Sequence, residues 1–256
     1  MILMRFLPQM LKEILKNVPS LLFDVVDWKE LTHVLPLMSK RMMNKDQIQP
    51  LIAEVSSSFA PYKLVFTDES KGVKTTLNSE VDRKLIAQSL LQAYFQQLFN
   101  QEGQLLDMRA DFFTYENGIT YWKPNGMWAQ WHEEFRIGLV EVYKGFFLED
   151  EPQFRRGLKS IGLIQADWNQ EEQDQMTVLF RNHFKNSLSE NMLFSIDDFK
   201  NSFLNIFNFL LQKKVRMSAD FMYLGVMLIG LYTHLEELKT PLNVKDIFMS
   251  VLKNNE

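Results

Sequence analysis

The chain has 256 residues, a formal net charge of -4 at pH 7, 46% hydrophobic and 23% charged residues, a length that allows one large domain or two small ones. The apolar fraction excludes a disordered chain, the acidic balance without a basic stripe argues against a nucleic-acid binder, and the absence of cysteine excludes disulfides, thiol nucleophiles and cysteine-held metals. With 10 Gly and 8 Pro against plentiful Leu, Met and Phe, helices are favoured over a turn-rich β fold.

Residues 1–60 read as three helices. Phe6, Met10, Leu11, Ile14, Leu15 and Val18 recur at helical spacing, and Pro19-Ser20 ends or kinks that first helix. Asp27 is an N-cap with Glu30 at the capping-box position, and a third helix starts near Asn44 and runs through Ile48, Leu51, Ile52 and Val55. No cleavable signal is read at Met1, because Pro8, Lys12 and Glu13 break the apolar run. Phe221 to Leu235, uncharged throughout, is shorter than the roughly 20 residues that span a bilayer, so a cytoplasmic protein is expected. The first helix has two readings: it lies on the inner membrane face with Lys12 and Lys16 near the headgroups, or it packs on the domain.

From Tyr62 to Thr67 apolar residues alternate as in a short strand, Asp68 to Gly72 is a turn, and Val73 to Leu77 is a return strand or an extended loop. Asn78 or Ser79 caps a helix from Glu80 to about Gln101, with Val81, Leu85, Ile86, Ser89, Leu90, Ala93, Tyr94 and Leu98 as its apolar face and Gly103 as its stop. Asn117-Gly118 between two aromatic runs is a hairpin signal, and Pro124-Asn125-Gly126 is a second turn. Helices follow at about 132–148, 151–161, 170–188, 196–213 and 218–238, with a last one from Val244 to Lys253 capped by Asn243. The expected fold class is mainly α (α+β), with a weak boundary that separates an N-terminal helical segment, 1–60, from the remainder, 61–256.

The order of these elements, and several motifs, resemble the hinge and C-lobe of the UbiB/AarF family of atypical kinase-like proteins. The resemblance is carried by Leu64-Val65-Phe66-Thr67-Asp68, Lys71-Gly72-Val73, Asp82-Arg83-Lys84-Leu85-Ile86-Ala87 and Gln97-Leu98-Phe99-Asn100-Gln101-Glu102-Gly103. It continues in Tyr143 to Asp150, Gly157 to Leu163, Ala219 to Leu224, Gly230-Leu231-Tyr232 and Leu242-Asn243-Val244. It covers roughly residues 62–252 and implies a kinase C-lobe-like helical body with a small β-hairpin element.

The departures from the family pattern fall on its chemistry. Counting from Gly103, the family's His-Ala-Asp-Pro-His-Pro-Gly-Asn loop maps to Leu106 through Phe113, which puts Met108 at the acid and Phe113 at the asparagine. The Mg²⁺-holding Asp-Phe-Gly maps to Pro124-Asn125-Gly126, the tail-helix arginine to Val226, and the Lys-x-Gly-Gln motif is absent. Phosphoryl transfer rests on positioning and on charge neutralisation by Mg²⁺ and lysine. The resemblance therefore implies no catalytic residue, no metal and no cofactor, with Asp107, Asp111 and Asn125 as vestigial-loop candidates. The two acids read either as displaced catalytic acids or as solvated loop acids and caps.

His33, His132, His183 and His234 lack metal spacing, and no Gly-x-Ser-x-Gly elbow or Walker loop is present. Phe112, Phe113, Tyr121, Trp122 and Trp128 read as a ligand or partner surface, or as a packed minicore. The favoured reading is a catalytically inactive interaction or regulatory protein with a protein partner or a lipid-like ligand. The alternative is an active UbiB-type ATPase or kinase linked to quinone or isoprenoid-lipid metabolism, working through Asp107 or Asp111. A helical transcription regulator is a third class, disfavoured because no basic recognition helix stands out.

Overall fold

The structure, a computed structural model, describes residues 25, 36, 40, 41, 48–67 and 79–256. The expected first helix with its membrane-facing reading, the Pro19-Ser20 stop, the Asp27 cap and the Asp68 to Leu77 turn and return all lie outside those residues. So does most of the proposed N-terminal segment.

The first described helix, α1 (Gln49–Phe59), buries Leu51, Val55 and Phe59, a spacing of four that places them on one face. A single 3₁₀ turn and a left-handed Lys63, at φ 54°, redirect the chain into strand β1 (Leu64–Phe66). Asn117 (φ 52°) and Gly118 (φ 74°) then make the expected tight turn between β3 (Phe113–Glu116) and β4 (Ile119–Trp122). Both turn residues have the left-handed backbone that a type I′ hairpin needs. The sheet order is β1-β4-β3, with β1 parallel to β4 and β3 antiparallel to it. Along β4, Thr120 and Trp122 point into the core and alternate with half-buried Ile119 and Tyr121.

Helix α2 (Glu80–Gln97) begins at Ser79, whose hydroxyl accepts the Asp82 amide at 3.0 Å, and Glu80 and Asp82 complement the positive helix end. Its buried face differs from the one expected. Val81 and Leu85 are 67% and 40% exposed, whereas Leu91, Phe95, Gln96 and Gln97 are buried beside Ile86, Leu90 and Tyr94. The first turns of α2 project from the body, and the last turns are surrounded by it, so a single stripe does not describe the helix.

A pair of two-residue strands, β2 (Gln104–Leu105) and β5 (Trp128–Ala129), runs antiparallel on either side of the hairpin. Beyond it the chain is helical: α3 (Glu133–Phe147), α4 (Glu151–Ser160), α5 (Gln170–Phe184), α6 (Ile196–Gln212), α7 (Ala219–Leu238) and α8 (Val244–Asn255). The mainly α, α+β class read from the sequence is the class observed. Helices α3 and α4 approach backbone to backbone at Gly145, where a methyl group would sit 2.3 Å from the Phe154 nitrogen. Helix α5 starts with a reciprocal capping box between Asn169 and Glu172.

Helix α7 is buried on nearly every side and is the central helix of the body. Helix α8 closes the core over α2: Phe248 meets Phe95 at 5.1 Å, and the Asn255 amide exchanges hydrogen bonds with the Gln96 amide at 3.1 and 2.9 Å. Burying an aromatic side chain fully contributes about 1.5–3 kcal/mol, and Phe95, Tyr143, Phe147 and Phe248 carry much of this interface. Among the described residues, no helix is long and apolar enough to cross a membrane.

Candidate functional site

The segment between β2 and β5 is a closed excursion. Its base is sealed by the β2–β5 pairing and by the Leu106 amide donating to the Met127 carbonyl at 2.9 Å. Two buried glutamines from outside the loop hold that base in register. Gln97 accepts the Leu105 amide at 2.5 Å. Gln104 donates to the Asn100 carbonyl at 2.9 Å and accepts the Trp131 amide at 3.1 Å.

Asp107 and Asn125, two of the three vestigial-loop candidates, come together inside this loop. The Asn125 amide donates to Asp107 Oδ2 at 2.6 Å, and its oxygen accepts the Met127 amide at 2.9 Å. That orientation is forced, because a carboxylate only accepts and a backbone N–H only donates. Arg109 grips the same carboxylate in a fork, Nε to Oδ1 at 2.8 Å and Nη2 to Oδ2 at 2.7 Å, and its own amide reaches Oδ1 at 3.3 Å. A carboxylate has about four acceptor positions, and these four donors occupy them. The Asp107 side chain is 2% exposed and that of Arg109 is 22% exposed, so the ion pair is buried at one end.

Asp111 is placed elsewhere. It stands exposed in a 3₁₀ turn, Ala110–Phe112, and its electrostatic neighbour is His234 on α7, whose charged form it favours. The two loop acids therefore do not form a pair. Met108, which the resemblance aligns with an acid, is fully buried against α7. There Gly230 allows the approach: a Cβ would lie 3.2 Å from the Met108 nitrogen.

Of the five aromatic candidates, Phe113 and Trp122 are core residues and present no surface to a partner. Phe113 stacks on Trp122 with ring centroids 5.0 Å apart, and Phe59 and Phe66 close on Trp122 at 6.4 and 5.6 Å. Phe112, Tyr121 and Trp128 are half-buried. Arg109 lies 5.4 Å from the Phe112 ring, and Arg41 lies 3.9 Å over Trp128 while donating to the Trp128 carbonyl at 3.2 Å. The rings thus knit the hairpin to α1, β1 and α7.

The described histidines have separate local partners. His132 Nδ1 is 2.7 Å from the Asp220 carboxylate, His183 Nδ1 is 2.7 Å from the Ser202 hydroxyl, and His234 Nε2 is 2.6 Å from the Tyr115 hydroxyl. Among the described residues, no group of three or more His, Asp or Glu is placed to hold a metal ion. The residues present do not fit the Mg²⁺ of a phosphotransferase. That ion is held by one or two carboxylates, and here the loop's buried carboxylate is committed to Arg109, while the positions that the resemblance aligns with the other ligands carry Phe113 and Pro124.

Reasoning from sequence singled out Asp107 and Asn125 but missed Arg109, Gln97 and Gln104. The signal for Arg109 was present as Asp-x-Arg within a loop, a spacing at which a guanidinium can fold back on its neighbour. The glutamines gave none, because a buried amide, whether in a helix as at Gln97 or in a strand as at Gln104, is indistinguishable in sequence from an exposed one. No protein-family model matches the chain, and no curated protein matches it.

Proposed function

We propose that this chain is a kinase-like interaction or regulatory protein without phosphotransfer activity, a degenerate relative of the UbiB/AarF family. The observation that carries the reading is the saturation of Asp107: Arg109 and Asn125 fill the acceptor positions a metal would need. Support comes also from the order of elements. A long helix, a short strand, a loop with an acid, a hairpin, a Gly-containing turn at Gly126 and a returning strand follow one another as in the C-lobe the motifs resemble. Met108 and Phe113 pack where polar groups stand in that family. Such a body retains surfaces for binding after the reaction is lost, which makes protein binding or lipid-type ligand binding the remaining role.

A nucleotide thermal-shift series tests this. Stabilisation by a bound ligand grows as RT ln(1 + [L]/Kd), so a competent site reports itself as a dose-dependent rise in Tm. The expected result is no rise with ATP that depends on Mg²⁺, and no phosphate release in a turnover assay. A saturable Mg²⁺-dependent rise together with turnover abolished by Asp107→Asn would establish the active reading in its place.

A further inference from the structure

Helix α6 packs against α5 and α7. Beneath it, between α3, α5 and α7, lies an apolar cleft open to solvent. Tyr143, Phe147, Phe184, Phe203, Leu228 and Tyr232 are among its walls. A polar chamber adjoins it, lined by Asn182, Asn186, Ser195, Asp198 and Ser202. His183, Met192, Phe199 and Tyr232 line both, and so form the neck between them. Leu193, 60% exposed, lies at the rim of the polar chamber. None of these residues belongs to the Asp107 loop, so a ligand bound under α6 is independent of the kinase-like reading.

The neck carries one acceptor with nothing to accept. The Ser202 hydroxyl donates to the Phe199 carbonyl at 2.8 Å, so the 2.7 Å contact with His183 Nδ1 must be the imidazole N–H donating to Ser202. That fixes the tautomer and leaves Nε2 unprotonated. Among the described residues Nε2 has no hydrogen-bond partner. The ring is packed among Phe180, Phe184, Phe199 and Phe203, with centroids 5.6, 5.0, 5.8 and 4.2 Å away. Charge in the chamber narrows the ligand further. No Lys or Arg lines either space, and Asp198 lines the polar one. A carboxylate or phosphate head would enter without a counter-ion and beside a like charge.

The geometry points to a binding site for a single-chain amphiphile with an uncharged, hydroxyl-bearing head, such as a long-chain alcohol. Its tail lies among the aromatic rings under α6, and its hydroxyl donates to His183 Nε2 at the neck. An apolar space with a few placed polar groups, here His183 and the Tyr232 hydroxyl at the neck, is the usual form of a small-ligand site.

Three probes with one tail separate the terms: 1-decanol, decyl methyl ether and decanoate, titrated calorimetrically into the whole chain. The ether keeps the oxygen but lacks the donor; decanoate carries the charge. Decanol is expected to bind saturably, with the ether and decanoate each weaker by about tenfold or more, the scale of one lost hydrogen bond. His183→Phe should erase the preference for alcohol over ether while tail binding persists, and Leu228→Trp should fill the cleft and abolish binding. Absence of saturable decanol binding, equal affinity for alcohol and ether, or undiminished binding to a folded Leu228→Trp chain would each overturn the proposal. Should either variant fail to fold, the three-probe comparison on the unsubstituted chain still decides it.

Discussion

Tyr115 and His234 meet hydroxyl to Nε2 at 2.6 Å, tying the β3–β4 hairpin to the central helix α7. On the other side of the ring, Nδ1 turns toward the Met108 backbone but falls short of hydrogen-bond geometry. Burial lowers the His234 pKa from 6.5 to about 4. Between those values the unfolded chain binds a proton that the folded chain refuses. The contribution of His234 is therefore complete above pH 6.5 and falls as pH drops toward 4, with a slope approaching about 1.4 kcal/mol per pH unit. Urea midpoints at about pH 7, 6 and 5 should decline, and His234→Gln should flatten part of that decline. His183, whose pKa burial also lowers, to about 3, adds to the decline. An unchanged slope in the glutamine variant would remove His234 from this account.

The buried end of the Asp107–Arg109 pair makes the loop sensitive to loss of one partner. Arg109→Ala leaves a carboxylate that is 2% exposed with only its amide donors. The expected cost is about 3 kcal/mol, at the low end for a broken buried pair because Arg109 is partly solvated. Asp107→Asn combined with Arg109→Met removes the charge along with its partner and should cost less than Arg109→Ala. Equilibrium urea unfolding of the two variants gives the comparison, and the reverse order would show that Asp107 tolerates isolation.

Helices α3 and α4 leave no room for a methyl group at Gly145, where the added carbon would meet main-chain atoms of Phe154 at 2.3 and 2.6 Å. Gly145→Ala ordinarily favours a helix by about 1 kcal/mol. Here the helices must separate, and a net loss of about 1–3 kcal/mol is expected. A Tm equal to or above that of the parent chain would contradict the close approach.

Asn169 caps α5 and Glu172 returns the bond, each side chain 2.9 Å from the other's amide. Asn169→Ala should lower stability by about 1 kcal/mol, and Asn169→Asp should restore most of it. Thermal denaturation by circular dichroism reads both, and equal melting of the two variants would place the stabilisation elsewhere.

The helical body was legible in the sequence because most of the described helices carry local punctuation. Ser79, Asn169, Ser195 and Asn243 accept amides at the starts of their helices, and Asn117-Gly118 specifies its turn by backbone conformation alone. The features that failed to show depend on partners distant in the chain. β2 and β5 have two residues each, too few for any period, and exist because the loop between them closes. The exposure of Val81 and Leu85 is set by where the body ends, which no stripe on α2 records. At the candidate site, Asp107 and Asn125 were visible as residue types, but whether an acid is available or engaged depends on where one flexible guanidinium folds. The cleft under α6 was invisible for a related reason. Phe199 and Phe203 stand at helical spacing as core residues do, and only the packing shows the cleft that they line.

Helix α8 completes the wall around α2, through Phe248 on Phe95 and Asn255 on Gln96, residues 159 positions apart in the second case. Contacts of such long separation carry a loop-closure cost that local helices avoid. During synthesis, Tyr94 and Phe95 meet Tyr143 of α3 early, but the face of α2 that α8 covers waits until every intervening helix is made. The chain cannot finish its interior from the N-terminal side onward; it closes when the residues of α8 arrive, so a ribosome that halts before Val244 releases a body with an open, greasy seam rather than a smaller folded protein.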